Sequence, residues 1–116
     1  MMNQAIKEKW VAALRSGEYQ QCTGALCREG GGRDADKFCC LGVLCDIMQE
    51  GEWKPAESLY GNKRRFSIGD SSNCNKLPLA LLDRTGISMS LENRLLEMND
   101  NGETFAQIAD YIEENL

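Results

Sequence analysis

The residues that most invite a chemical role are the six cysteines, three of which lie in the segment Phe38-Cys39-Cys40-Leu41-Gly42-Val43-Leu44-Cys45. Because the chain has no histidine, a zinc site would need four thiolates. The candidates are Cys22, Cys27, one of Cys39 or Cys40, and Cys45. On a helix with about 100° per residue, Cys40 and Cys45 point about 140° apart, and neither they nor Cys22 and Cys27 have the two-residue gap of a zinc knuckle. We therefore predict buried thiols in the core, with no metal and no cofactor.

The lack of histidine also argues against an enzyme. It excludes Ser-His and Cys-His nucleophilic catalysis and the usual general base at neutral pH. No acidic pair lies at a recognisable catalytic spacing, and the adjacent Cys39 and Cys40 do not form a Cys-x-x-Cys redox motif. Asn99-Asp100-Asn101-Gly102 lacks the carboxylate order of a calcium loop and is typical of a turn between helices. We predict no catalytic residues.

The charged residues are unevenly distributed along the chain. The net charge is −5, and the residues from Glu92 onward include seven carboxylates against one base, Arg94. Such a surface repels nucleic acid, so we expect no bulk nucleic-acid binding. The cluster Lys63-Arg64-Arg65 is too short for a duplex-binding face, but together with Arg28 and Arg33 it could converge on an anionic small molecule. A solvated surface is the alternative.

Apolar periodicity and capping signals predict the helices. The expected helical segments are residues 3–15, 40–50, 78–85, 90–98 and 104–116. Ser90 is the expected cap of the fourth, and Thr104 with Gln107 matches a capping box at the start of the fifth. Gly42 is expected to allow close approach of a neighbouring element.

Strand signals are weaker and lie in the first two thirds of the chain. Residues 18–28 favour extended structure and, with residues 37–39, predict a β-hairpin whose tip is Gly30-Gly31-Gly32. Residues 51–76 are the least regular stretch, with one or two short strands expected and part of it mobile. We predict a small α+β fold, mainly helical with a short antiparallel hairpin or small sheet, as a single domain over residues 1–116.

The sequence also gives expectations about the cellular compartment of the protein. Lys7, Glu8 and Lys9 interrupt the apolar stretch that a signal peptide needs, and no segment approaches the roughly 20 apolar residues of a membrane span. We expect a cytoplasmic protein whose cysteines remain reduced, with Cys74 the most exposed thiol and no membrane contact.

Three blocks in the same order carry a resemblance to a known family. They are residues 10–21, beginning Trp10-Val11-Ala12 and ending Tyr19-Gln20-Gln21; residues 38–45; and residues 98–109, beginning Met98-Asn99-Asp100 and ending Gln107-Ile108-Ala109. With them, the chain resembles a family of small uncharacterised proteins of tailed bacteriophages and prophages. The resemblance spans nearly the whole length and implies an accessory gene product expressed in the cytoplasm of a bacterial host. It assigns no residue a role.

Two functions from different classes follow. The first is a binding protein that sequesters a small anionic ligand of nucleotide type, such as a signal of host defence. Its expected ligand-binding residues are Tyr19, Gln21, Arg28, Arg64 and Arg65, with Tyr19 stacking on a base or ribose and the arginines pairing phosphate. The second is a protein-binding inhibitor that uses its acidic surface to occupy a basic site on a host enzyme. Both functions are compatible with a protein that forms a homo-oligomer.

Overall fold

The structure is a computed structural model that describes residues 2–30, 36–55 and 63–116, with the side chain of Pro55 left aside. Within these residues it contains five helices and six short strands. In chain order they are α1 (Gln4–Arg15), β1 (Gln20–Gln21), β2 (Cys27–Arg28), β3 (Lys37–Phe38), α2 (Cys40–Met48), β4 (Glu52–Pro55), β5 (Lys63–Ile68), β6 (Ser71–Asn73), α3 (Leu79–Thr85), α4 (Met89–Asp100) and α5 (Phe105–Asn115). The predicted α+β class, mainly helical with a small sheet, is confirmed.

Helix α2 lies at the centre of the core, as the helical spacing of Leu41, Leu44, Cys45 and Met48 predicts. Residues 40–45 are all buried, and α2 packs against α1, α4 and β3. The indole Nε1 of Trp10 on α1 donates to the carbonyl oxygen of Cys40 at 2.9 Å. The expected close approach at Gly42 is confirmed, because a Cβ there would lie 1.8 Å from the carbonyl oxygen of Leu26. No larger residue fits unless the backbone moves.

Local capping explains where the helices begin. At α5 both bonds of the predicted capping box form, between the Thr104 hydroxyl and Gln107 N and between the Gln107 side chain and Thr104 N. At α4 the prediction was wrong by two residues: Ser88, not Ser90, accepts from Leu91 N at 3.2 Å. That helix also continues to Asp100 instead of ending at Met98. None of the described helices has the length and apolar character needed to cross a membrane.

The sheet has the order β1-β3-β2-β5-β4, with β6 also paired to β5. The predicted hairpin is confirmed as the antiparallel pair β2–β3, although Gly31 and Gly32 of its expected tip lie outside the described residues. Two expectations were wrong. Residues 18–28 form two separate two-residue strands, of which β1 pairs in parallel with β3. The described residues of the stretch 51–76 form three strands, because β5 pairs along both edges, with β2 and β6 on one edge and β4 on the other.

Candidate functional site

The basic cluster lies on β5, where successive side chains alternate between the two faces of the sheet. Arg64 shares a face with the buried Phe66 and Ile68. Lys63 and Arg65 lie on the opposite face, where Lys63 is half-buried and Arg65 is exposed. Three consecutive cations therefore form no single patch: one lies on the core side and two lie on the outer side.

Cross-strand neighbours add three cations to that outer side. Lys63 lies opposite Arg28 of β2, Arg28 lies opposite Lys37 of β3, and Arg65 lies opposite Lys54 of β4. Directly paired residues share a face, and adjacent strands are about 4.8 Å apart. These five residues, Arg28, Lys37, Lys54, Lys63 and Arg65, form one compact patch that we call the basic face.

The cations of the basic face differ in how they are held. Arg28 is half-buried, and its Nε donates to the carbonyl oxygen of Thr23 at 3.0 Å. Lys63 is also half-buried, and its Nζ reaches the Asn75 side-chain oxygen at 3.5 Å. These contacts hold two positive charges in defined positions at the middle of the patch.

The remaining three, Lys37, Lys54 and Arg65, are exposed. Among the described strand positions on this side of the sheet, the one carboxylate is Glu52, opposite Ser67. Like charges at this spacing repel each other, so an anion bound over the patch lowers its electrostatic free energy.

Arg64, on the core side, is paired within the chain. Its guanidinium lies 3.5 Å from Glu29 Oε1 and 3.6 Å from Asp36 Oδ2, and the other oxygen of Asp36 accepts from Gly30 N at 3.0 Å. This arrangement ties β5 to both ends of the connection between β2 and β3. The positive charge of Arg64 is therefore offset by two carboxylates.

Tyr19 also lies away from the basic face. Its hydroxyl donates to Asp46 Oδ2 at 2.6 Å, and Trp53 Nε1 donates to the other oxygen of Asp46 at 3.2 Å. The ring of Phe38 packs edge-on between the rings of Tyr19 and Trp53, with centroids 5.2 and 5.8 Å away. Burial, together with the bond to Asp46, raises the pKa of Tyr19 well above its ordinary value. The phenol is therefore a neutral donor at physiological pH.

Gln21 is part of a buried polar network around Asn99. Its side-chain amide donates to Asn99 Oδ1 at 2.9 Å and to the carbonyl oxygen of Glu103 at 2.7 Å. Asn99 also accepts from Cys40 N at 3.2 Å and donates to the carbonyl oxygen of Cys22 at 2.8 Å. The network joins β1, the start of α2 and the end of α4, so Gln21 has a structural role.

The structure thus brings together two of the five predicted ligand-binding residues, Arg28 and Arg65, and places Tyr19, Gln21 and Arg64 on the other side of the sheet. Arg33 lies outside the described residues. Sequence reasoning missed Lys37 and Lys54. Each is a single lysine in a short strand, and only the register with β2 and β5 places it beside an arginine.

The cysteines have the chemistry of core residues. Five are buried and Cys74 is half-buried. Burial raises the pKa of Cys27 and of Cys39 to about 12 and also raises the pKa values of Cys22, Cys40 and Cys45. Within residues 2–30, 36–55 and 63–116, no group of three or more cysteines or carboxylates is placed to hold a metal ion. Thiols in this state are poor nucleophiles and poor ligands.

Comparison with known proteins gives a family and no function. No curated protein and no solved structure matches the chain. One family model matches residues 2–116, almost the full length, and its description is a domain of unknown function, DUF8296. The chain therefore belongs to the DUF8296 family.

Proposed function

We propose that this protein binds and sequesters a small anionic ligand of nucleotide type on the basic face of its sheet. The observation that carries the proposal is the convergence of Arg28, Lys37, Lys54, Lys63 and Arg65 from four strands onto one side of the sheet. Phosphate oxygens are the natural partners of such groups, because arginine can donate two parallel hydrogen bonds and lysine adds a mobile charge.

The charge balance of the whole chain makes this patch unusual. Five of the thirteen lysines and arginines lie on it, although the chain has eighteen acidic residues and a net charge of −5. A uniform acidic surface would repel a phosphorylated ligand, whereas a local concentration of positive charge attracts one and raises its association rate. Since the cations are spread over four strands, the ligand best suited to them carries at least two phosphate groups.

The bacteriophage setting expected from the resemblance suggests what such binding would achieve in the host cell. A phage accessory product in the cytoplasm of a bacterial host could act by holding a nucleotide signal of host defence away from its receptor. Such a role needs a binding surface and abundance, and no catalytic group. The residues that would hold the ligand are Arg28 and Arg65, as predicted from the sequence, with Lys37, Lys54 and Lys63.

A thermal-shift screen tests the proposal with cyclic nucleotides, cyclic dinucleotides and ADP-ribose derivatives. A ligand at a hundredfold its dissociation constant should add about 2.7 kcal/mol to the free energy of unfolding. The double variant Lys54→Gln with Arg65→Gln should lose the shift, because it removes one register pair from the basic face. The control is Lys9→Gln with Lys76→Gln, which lowers the net charge equally at sites off this face and should keep the shift.

Three results would count against the proposal. The first is no shift with any ligand of the panel. The second is a shift that both double variants lose equally, since that would reflect net charge alone. The third is a shift that survives loss of the basic face but disappears with Tyr19→Phe or Arg64→Gln, which would move the site to the other side of the sheet.

A further inference from the structure

A groove of about 350 Å³ lies between β6 and the first turns of α3 and α4, and its lining includes none of the five residues of the basic face. Its walls combine three kinds of surface: the backbone and small polar side chains of β6, the apolar side chains of α3 and α4, and one buried carboxylate, that of Glu92. The four other grooves compared with it, all formed by described residues, lack this combination.

The apolar rim of the groove is unusually exposed. Leu79 at the start of α3 is 68% exposed and Met89 at the start of α4 is 63% exposed, and they are the two large apolar side chains that stand out in this way among the described residues. Leu82 also lines the groove. Scattered single apolar residues on a surface need no explanation, but two on the rim of one groove mark a place that an apolar group can cover.

The carboxylate of Glu92 gives the groove its charge. Glu92 is only 2% exposed, yet it lines the groove, and one of its oxygens accepts from Leu77 N at 3.0 Å. Asp70 adds a second negative charge, and Lys76 is the one cation among the lining residues. A carboxylate held in a desolvated position interacts more strongly with a cation than an exposed carboxylate does.

From these features we infer that the groove is a docking site for a segment of a partner protein in which a lysine or arginine side chain lies between apolar residues. The cation would approach the free side of the Glu92 carboxylate, and the flanking apolar side chains would cover Leu79 and Met89. Charge complementarity selects a basic segment, because Glu92 and Asp70 outnumber Lys76. The site is independent of the anionic ligand proposed above, and it fits the second function considered for the sequence, a protein that binds a basic site on a partner.

The test uses two peptides, acetyl-Ala-Leu-Lys-Leu-Ala-amide and the same peptide with glutamine in place of lysine. They are titrated into protein labelled with ¹³C at the methionine methyl groups, and Met89 reports on the groove. Met48, which lines a different surface groove, is the internal reference. We expect the lysine peptide to shift the Met89 signal saturably, and the glutamine peptide to bind about tenfold more weakly through loss of one charge-assisted contact.

Variants assign the preference to the carboxylate. E92Q keeps an acceptor for Leu77 N and should bind both peptides equally, while K76Q should bind the lysine peptide more tightly because it removes the competing cation. L79S, at an exposed position, should weaken both peptides and keep the preference for lysine. An unmoved Met89 signal, equal binding of the two peptides by the wild-type protein, or a preference that survives E92Q would overturn the inference. If E92Q does not fold, L79S decides: unchanged affinity for both peptides overturns it.

Discussion

At the scale of single residues, burial decides the chemistry of the cysteines. Cys39 occupies the cap position of α2, where its sulfur accepts from Gly42 N at 3.4 Å. A helix N-terminus ordinarily favours a thiolate, but burial outweighs this and raises the pKa of Cys39 to about 12. The sequence could predict this outcome because the spacings of the cysteines match no metal site and their neighbours are apolar.

Alkylation of the native protein should therefore modify one thiol of the six. Cys74 is half-buried, whereas Cys22, Cys27, Cys39, Cys40 and Cys45 are buried. The buried thiols should react with iodoacetamide only when the protein opens, because a protonated and inaccessible thiol is a poor nucleophile. Intact-mass spectrometry against time should show rapid addition of one group, and Cys74→Ser should abolish it. Rapid addition of two or more groups to the folded protein would contradict the burial described here.

Asn99 is the residue whose importance the sequence hides. Asn99-Asp100-Asn101-Gly102 predicts a turn, but Asn99 belongs to the last turn of α4 and is fully buried, where it joins Gln21, Cys22 and Cys40. A local pattern cannot show that three distant backbone and side-chain groups need one amide. This explains why Gln21 is better described as a partner of Asn99 than as a ligand-binding residue.

Leaving one buried polar group unsatisfied costs about 1–3 kcal/mol. Asn99→Ala should lower the free energy of unfolding by this amount or more. The substitution leaves both Cys40 N–H and the Cys22 carbonyl without the partner they have in the native protein. Urea denaturation measures the difference. The control, Asn93→Ala, is on the exposed side of the same helix and should change stability by less than about 0.5 kcal/mol. Equal effects of the two substitutions would show that the network contributes nothing.

At the scale of elements, the helices were predictable apart from the bounds of α4, whereas of the sheet only the pairing of β2 with β3 was. The signals for α1, α2, α3 and α5 are local: caps, apolar periodicity and a terminal glycine such as Gly86, which adopts φ +79°. The strands are two to six residues long and owe their existence to partners far away in the chain, as β5 does to β2. Pairing of this kind leaves little trace in a single strand's composition.

The error at the start of α4 can be tested with a matched pair of substitutions. Ser88→Ala should cost about 1 kcal/mol, because the Ser88 hydroxyl accepts from Leu91 N and satisfies one free N–H of the first turn. Ser90→Ala should be neutral or slightly stabilising, since Ser90 lies inside the helix, is exposed, and alanine is the better helix former. Thermal or urea unfolding compares them. A larger loss for Ser90→Ala would restore the boundary predicted from the sequence.

At the scale of the whole molecule, net charge was a poor guide to the surface. The excess of acidic residues from Glu92 onward belongs to the two C-terminal helices, α4 and α5, and the connection between them. The sheet, in contrast, brings together cations from four strands. Arg28 and Arg65 could be proposed together from the sequence, because Arg28 lies just before the glycine run 30–32 and Arg65 ends the basic cluster 63–65. Their separation from Arg64, and their proximity to Lys37 and Lys54, depend on the alternation and register of the sheet, which the sequence alone does not reveal.

Glu92 makes the stability of the whole molecule depend on pH. Burial raises its pKa above the ordinary value of 4.5, against the opposing effects of the bond from Leu77 N and the charge of Lys76. The folded protein therefore holds this proton to a higher pH than the unfolded chain does. The stability that the protonated group contributes is fully present below pH 4.5 and is lost as the pH rises through the folded pKa.

Glu92→Gln imitates the protonated carboxyl and should raise the free energy of unfolding at neutral pH, where the wild-type protein must bury a charge. The advantage should shrink as the pH falls and vanish below the unfolded pKa of 4.5, where both side chains are neutral. Urea denaturation at several pH values measures the difference, with Glu97→Gln, an exposed position on the same helix, as the control that should show no such trend. A loss of stability at neutral pH would mean instead that the charged carboxylate stabilises the turn before α3 by more than its burial costs.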